Sequence, residues 1–225
     1  MQQQFSAAGK TVTLFSNTAA PAPVVWLNTV QGEGGAIWQA CQADGCPAFA
    51  LAAVSQLAWD HDMSPWPIPP IAEGDTPCTG GADDYLCLLT ERLLPAAADA
   101  LPFRPQQHII AGYSLAGLFA VYALYRTDVF SKAASASGSL WYPGLLEYTQ
   151  QNAFMRKPES VYFSLGDREA HTGNRFLASV EDNTRRIQTD FRAQGIETTF
   201  VLNRGNHYQH AAARMAAGIR WILEH

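Results

Sequence analysis

Ser114 stands in Ala111-Gly112-Tyr113-Ser114-Leu115-Ala116-Gly117, at the junction of a short apolar run and an amphipathic one. A serine between the end of a strand and the start of a helix lies beside unpaired helix amides, which can hold the negative charge that develops when a hydroxyl attacks a carbonyl. The pattern is that of the G-x-S-x-G nucleophile turn, whose sharpness demands small residues two before and two after the serine. Gly112 meets the first requirement, Ala116 is one methyl larger than glycine at the second, and Gly117 allows the helix to pack closely on a sheet. The competing reading of Gly112-Tyr113-Ser114 is a tight connection in which Ser114 only caps a helix.

A serine hydroxyl needs a base. His207, in Asn203-Arg204-Gly205-Asn206-His207-Tyr208, follows the last predicted strand and precedes the terminal helix, where an imidazole can take the serine proton and return it to a leaving group. His210 is the competitor, but it falls in the first turn of that helix. A carboxylate to orient the imidazole is expected after the preceding strand, and Ser164-Leu165-Gly166-Asp167-Arg168-Glu169 offers two. The order Ser114, acid, His207 is that of one known triad arrangement. For the oxyanion, one amide is expected from Leu115 and another from Thr29 or Val30, in Asn28-Thr29-Val30-Gln31-Gly32-Glu33-Gly34-Gly35, with Val30 the preferred choice. The glycines of that segment suit either a ligand-facing backbone or a flexible turn.

The elements that must position these groups alternate along the chain. Thr11 to Phe15, Pro23 to Leu27, Ala48 to Val54, His108 to Ala111, Ala133 to Ser137, Val161 to Leu165 and Thr198 to Leu202 read as strands. Helical spacing predicts Asp83 to Leu101, Leu115 to Arg126, Leu145 to Phe154, a long helix carrying Phe176, Val180, Ile187 and Phe191, and a terminal helix over Ala211 to Leu223. Pro95 is expected to end or kink the first of these. Strands alternating with helices predict an α/β fold with a mostly parallel central sheet in a three-layer sandwich. Asp60 to Cys78 reads as a long Pro-rich loop whose Trp59 and Trp66 either line a pocket or pin the loop to the body.

The nucleophile segment, with Ser137-Gly138-Ser139-Leu140-Trp141 after the following strand, resembles the putative esterase family of α/β-hydrolases, which includes S-formylglutathione hydrolases, feruloyl esterases, siderophore esterases and mycolyl transferases. The resemblance implies the α/β-hydrolase fold and acyl-ester chemistry on a small-molecule ester. In many α/β-hydrolases the acid stands three positions after the glycine closing its strand, which selects Glu169 and leaves Asp167 to bond nearby amides. By the same resemblance Trp141 lines the acyl or alcohol pocket, the competing reading being a core tryptophan; the Pro-rich loop makes Trp66 a second substrate-binding candidate. Asn28 replaces the His-Gly pair typical of lipases and esterases. The expected activity is that of a serine esterase, with Ser114, Glu169 and His207 catalytic and no cofactor or metal. A non-catalytic binding protein on the same fold and an acyltransferase using the same triad are the alternatives.

Bulk properties bound the rest. A chain of 225 residues, 48% hydrophobic and 16% charged, suits one domain over residues 1–225. Its net charge of -5 with scattered Lys and Arg excludes a basic stripe for nucleic acid or anionic membrane. The first residues lack a secretory pattern and no stretch approaches the ~20 apolar residues of a membrane span, so a soluble, cytoplasmic protein is expected. Cys41, Cys46, Cys78 and Cys87 match no common zinc or redox spacing and read as thiols, a Cys41–Cys46 disulfide being the alternative. A metal-dependent hydrolase built on Asp60-His61-Asp62 with His207 and His210 is the remaining rival.

Overall fold

The computed structural model describes all 225 residues. Its first half contains β1 (Gln2–Ala7), β2 (Lys10–Ser16), β3 (Val24–Asn28), α1 (Gly34–Ala43), β4 (Ala50–Ser55), α2 (Trp59–Asp62), β5 (Pro67–Ile68), β6 (Cys78–Thr79), α3 (Ala82–Leu88) and α4 (Leu94–Ala100). The second half contains β7 (His108–Tyr113), α5 (Leu115–Arg126), β8 (Phe130–Ala136), α6 (Leu145–Gln151), β9 (Ser160–Gly166), α7 (Arg175–Ala178), α8 (Val180–Ala193), β10 (Glu197–Asn203) and α9 (Ala211–Glu224). Eight strands form one sheet in the order β1-β2-β4-β3-β7-β8-β9-β10. From β4 to β10 neighbours run parallel, while β1 and β2 are antiparallel at one edge.

Alternation along the strands divides the core. On one face Val24, Trp26, Ile110, Ala133 and Phe163 pack under α3 to α6 and α8 in a cluster of 41 buried residues, while on the other Val25, Leu27, Ile109, Ala134 and Tyr162 meet α1 and α9 in a cluster of 17. The sandwich is therefore thick on one side and thin on the other. β3 and β9 are buried along their whole length. No helix is long and apolar enough to cross a membrane.

Several features differ from the sequence expectation, among them the predicted helix over Phe176 to Phe191, which is divided into α7 and α8. β1 was not predicted, because Gln2-Gln3-Gln4 carries no apolar alternation; it is an edge strand, paired only through its register with β2. α1 begins at Gly34, where glycines predict a turn, because a side chain there would place its Cβ 2.3 Å from that of Ala53 on β4. Pro95 does not end its helix but stands in the first turn of α4. A wide turn over Leu89–Leu93 joins α3 to α4, and the loosened ladder accommodates the missing N–H and the ring of Pro95. Within the Pro-rich segment, α2 and the small hairpin of β5 and β6 supply local order. All four cysteines are free thiols.

Candidate active site

The chain reverses at Ser114 with φ +60° and ψ -127°, a left-handed conformation that side chains rarely adopt. Gly112 makes the turn fit, since a Cβ there would lie 2.1 Å from the carbonyl oxygen of Ala116 and 2.7 Å from its side chain. That contact explains the small residue at both positions, and an alanine is accommodated at the second. A Cβ on Gly117 would come within 2.8 Å of the Gly138 backbone, so this glycine seats α5 against the segment leaving β8. The strained turn is held by the Ser114 carbonyl, which accepts from the amides of Gly117 (2.9 Å), Leu118 (3.2 Å) and Ser139 (3.0 Å).

The imidazole of His207 lies between two groups drawn from other strands. Its Nε2 is 3.1 Å from Ser114 Oγ and its Nδ1 is 2.8 Å from Glu169 Oε2. An ionised carboxylate only accepts, so Nδ1 carries the proton and Nε2 is left to accept from the serine. The three residues follow the carboxyl ends of β7, β9 and β10, where open α/β sheets form their crevice. Glu169 rather than Asp167 meets the histidine. Asp167 Oδ1 instead accepts from the Gly205 amide at 2.8 Å, tying the acid-bearing loop to the histidine-bearing one. His210 is exposed and opens α9, away from Ser114.

Glu169 is 5% exposed at its side chain, and its second oxygen accepts from Ser137 Oγ (2.7 Å), the Gly166 amide (2.6 Å) and Arg214 Nη1 (3.2 Å). Burial pushes its carboxyl up, but the hydrogen bonds from His207, Ser137 and Gly166 favour the ionised form more strongly and hold it below the ordinary value. Arg214, 3% exposed, was not anticipated from the sequence. Its guanidinium also reaches Tyr113 Oη (3.4 Å), Ser137 Oγ (3.2 Å) and the Arg204 carbonyl (3.1 Å), and the Tyr113 hydroxyl donates to the His207 carbonyl at 2.6 Å. One buried cation thus touches the segments at the carboxyl ends of β7, β8, β9 and β10. The available signal was a lone arginine in the small, apolar run Ala211-Ala212-Ala213-Arg214-Met215-Ala216. Gly166 leaves room for it, since a Cβ there would be 2.9 Å from Nη1.

Two amides suit an oxyanion. Leu115 is the first residue of α5, so its N–H has no acceptor within the helix. Thr29 is excluded because its N–H already donates to the Val54 carbonyl at 2.9 Å, whereas the Val30 N–H makes no hydrogen bond within the protein. Three cavities, of about 190, 290 and 310 Å³, have Ser114 in their walls. Trp141 lines two of them and Trp59 lines two. Trp66 lines none. Its indole N–H donates to the Pro143 carbonyl at 2.9 Å and its ring packs on Tyr122, Tyr142 and Tyr148, so it pins the Pro-rich segment to the body instead. The donors of the metal reading are engaged elsewhere: Asp62 pairs with Lys10 at 2.5 Å, His61 Nδ1 is 2.7 Å from Thr79 Oγ1, and no group of three His, Cys, Asp or Glu side chains converges.

Comparison with known proteins bears on the fold and the family. The fold matches the siderophore hydrolase EstA from Aspergillus nidulans (TM-score 0.77, 18% identity, 100% of this chain and 94% of that one). It also matches an IroE-like serine hydrolase from Shewanella oneidensis (TM-score 0.81, 17% identity, 100% and 80%). The enterobactin esterase FES from Shigella flexneri matches over 100% of this chain and 59% of its own (TM-score 0.71, 17% identity). At these identities the likeness establishes the α/β-hydrolase fold. The family model described as "Putative esterase" matches residues 39–211, most of the sequence, and the chain therefore belongs to the putative esterase family, as a carboxylic ester hydrolase.

Proposed function

We propose that the protein is a serine esterase in which Ser114, His207 and Glu169 act as a catalytic triad through an acyl-enzyme intermediate. The observation that carries this reading is the unbroken pair of contacts from Ser114 Oγ to His207 Nε2 and from His207 Nδ1 to Glu169. Ser114 Oγ attacks the ester carbonyl carbon as its proton passes to Nε2. The carbonyl oxygen, now negative, is held by the amides of Leu115 and Val30. Collapse of the tetrahedral species breaks the bond to the alcohol oxygen, which takes the proton from Nε2 and leaves. Water then attacks the acyl-serine, giving one proton to His207, and the second collapse releases the acid and restores the serine hydroxyl. Glu169 fixes the tautomer and stabilises the imidazolium formed in both halves.

Replacing Ser114 by alanine is expected to lower kcat/KM on an aryl ester by at least ~10⁴, because triad members act as a unit. A fluorophosphonate probe should label the unmodified protein at Ser114 and leave the variant unlabelled. Undiminished hydrolysis by the variant refutes the assignment. The siderophore hydrolases and the enterobactin esterase among the structural neighbours make ester-linked siderophores natural members of the substrate panel, beside aryl, feruloyl and thioesters.

A further inference from the structure

The three cavities that meet at Ser114 differ in chemistry. The cavity of about 290 Å³ runs past Val30, Ile37, Tyr113, Ala211 and Ala212 and is mainly apolar. Trp59 stands in its wall and also in that of the cavity of about 190 Å³, which contains Asp60, Asp75 and Trp141. The third, of about 310 Å³, shares Ile71, Asp75, Ser139 and Trp141 with the second and extends to His207. The acidic and His207-side cavities therefore adjoin, and the apolar one lies across Trp59.

Charge around this crevice is one-sided. Glu33, Asp60, Asp75 and Glu169 line the three cavities and no lysine or arginine does, and of the four only Glu169 is paired with a cation, Arg214. Asp60 and Asp75 pair with no cationic side chain anywhere in the protein. Their only partners are neutral: the Thr76 hydroxyl donates to Asp60, and the Ala72 amide donates to Asp75 at 3.1 Å. These bonds fix both carboxylates on the segment facing Ser114 and leave their charge uncompensated. The indoles of Trp59 and Trp141 complete the wall, and a carboxylate beside an aromatic ring is a combination that recognises an organic ammonium group. An anionic substrate would meet repulsion on the same surface.

Building on the serine-esterase reading, we infer that the preferred substrate is an ester of a cationic, ammonium-bearing alcohol. His207 returns its proton to the departing alcohol, so the cavity that His207 lines receives that half of the ester. Asp75 and Trp141 extend this cavity toward Asp60 and Trp59, which places the ammonium group there. The acyl chain lies across Trp59, against Val30, Ile37 and Ala212, and is apolar.

The test compares butyrylcholine with its uncharged isostere, 3,3-dimethylbutyl butyrate, which share an acyl group and a shape and differ in one charge. The expected ratio of kcat/KM favours the choline ester by at least about fivefold at low salt, the scale of a single cation–π contact or partly exposed ion pair. Asp75→Asn, at an exposed position, and Asp60→Asn, which keeps the side chain's shape, should each lower that ratio. A preference below about fivefold, or one that survives both substitutions, overturns the inference. Hydrolysis of neither ester by a protein whose Ser114 still reacts with a fluorophosphonate also overturns it, while leaving the triad reading intact. Failure of that labelling in the folded protein refutes the triad reading itself.

Discussion

Each oxygen of the Glu169 carboxylate has its own duty. Oε2 receives the proton-bearing nitrogen of His207, and Oε1 is anchored by Ser137, Gly166 and Arg214. Glu169→Gln presents an amide that can turn its NH₂ to the histidine and stabilise the wrong tautomer, so kcat should fall by ~10³–10⁴. Asp167→Asn keeps an oxygen for the Gly205 amide and should change activity little; a larger loss for it would identify Asp167 as the acid. The same carboxylate links the site to stability. Its folded pKa lies below the ordinary 4.5, so the stability it contributes is complete above that value and is lost as pH falls through the depressed one. In urea titrations the deficit of Glu169→Gln against the unmodified protein should shrink steadily on acidification; a constant deficit would show that ionisation of Glu169 contributes nothing. Arg214 acts through this group as a positioning residue. Arg214→Met removes the guanidinium that lies 3.2 Å from Glu169 Oε1 and 3.4 Å from Tyr113 Oη, and so frees the carboxylate that orients the imidazole. It should lower kcat more than it raises KM, with Arg214→Lys restoring part of the loss. A variant whose kcat is unchanged while its stability falls would mean that Arg214 serves packing alone.

At the level of elements, the parts carrying strong periodicity were legible and the parts set by tertiary contact were not. The strand ending at Tyr113, the helix beginning at Leu115 and the loops after β9 and β10 all follow from apolar runs and their spacing, and they deliver Ser114, Glu169 and His207. α1 escaped because Gly32, Gly34 and Gly35 signal a turn, whereas Gly34 is there to let the helix approach β4. This affects the site, for α1 follows the loop that bears Val30. Gly34→Ala forces the helix from Ala53 and should cost about 1–3 kcal/mol, the range for overpacking. For a chain of this length that corresponds to a Tm lower by ~2–4 °C per kcal/mol. Displacement of the Val30 amide should also lower kcat more than it raises KM, since an oxyanion donor acts mainly in the transition state. An unchanged kcat in a destabilised variant would dissociate α1 from the oxyanion loop. The roles of Trp59 and Trp66 were undecidable from sequence for a related reason. Both occur in one Pro-rich segment, and only the short helix at Trp59–Asp62 and the aromatic packing of Trp66 on Tyr142 and Tyr148 separate a cavity wall from a structural pin.

Across the whole molecule, the sheet separates two unequal cores and carries the proposed triad at the carboxyl ends of its strands. Ile187 on α8 lies in the larger cluster and Ile219 on α9 in the smaller, and both are fully buried. Truncating either to alanine removes comparable apolar volume, so each should destabilise by ~2–5 kcal/mol, depending on how far the surroundings collapse. Their effects on activity should differ. α9 directly follows the His207 loop and carries Arg214, so loosening its seat on β8 and β9 alters the angle at which the imidazole and guanidinium are presented. α8 packs against β9 and β10 but bears none of the residues within hydrogen-bond reach of the triad. Ile219→Ala should therefore lower kcat well below its melting transition, whereas Ile187→Ala should keep kcat near that of the unmodified protein until it unfolds. Assays at 15 °C alongside circular dichroism melts of both variants distinguish the two. Equal kcat in the folded variants would mean that the hydrogen bonds of Asp167, Tyr113 and Arg214 hold the His207 loop without help from the packing of Ile219.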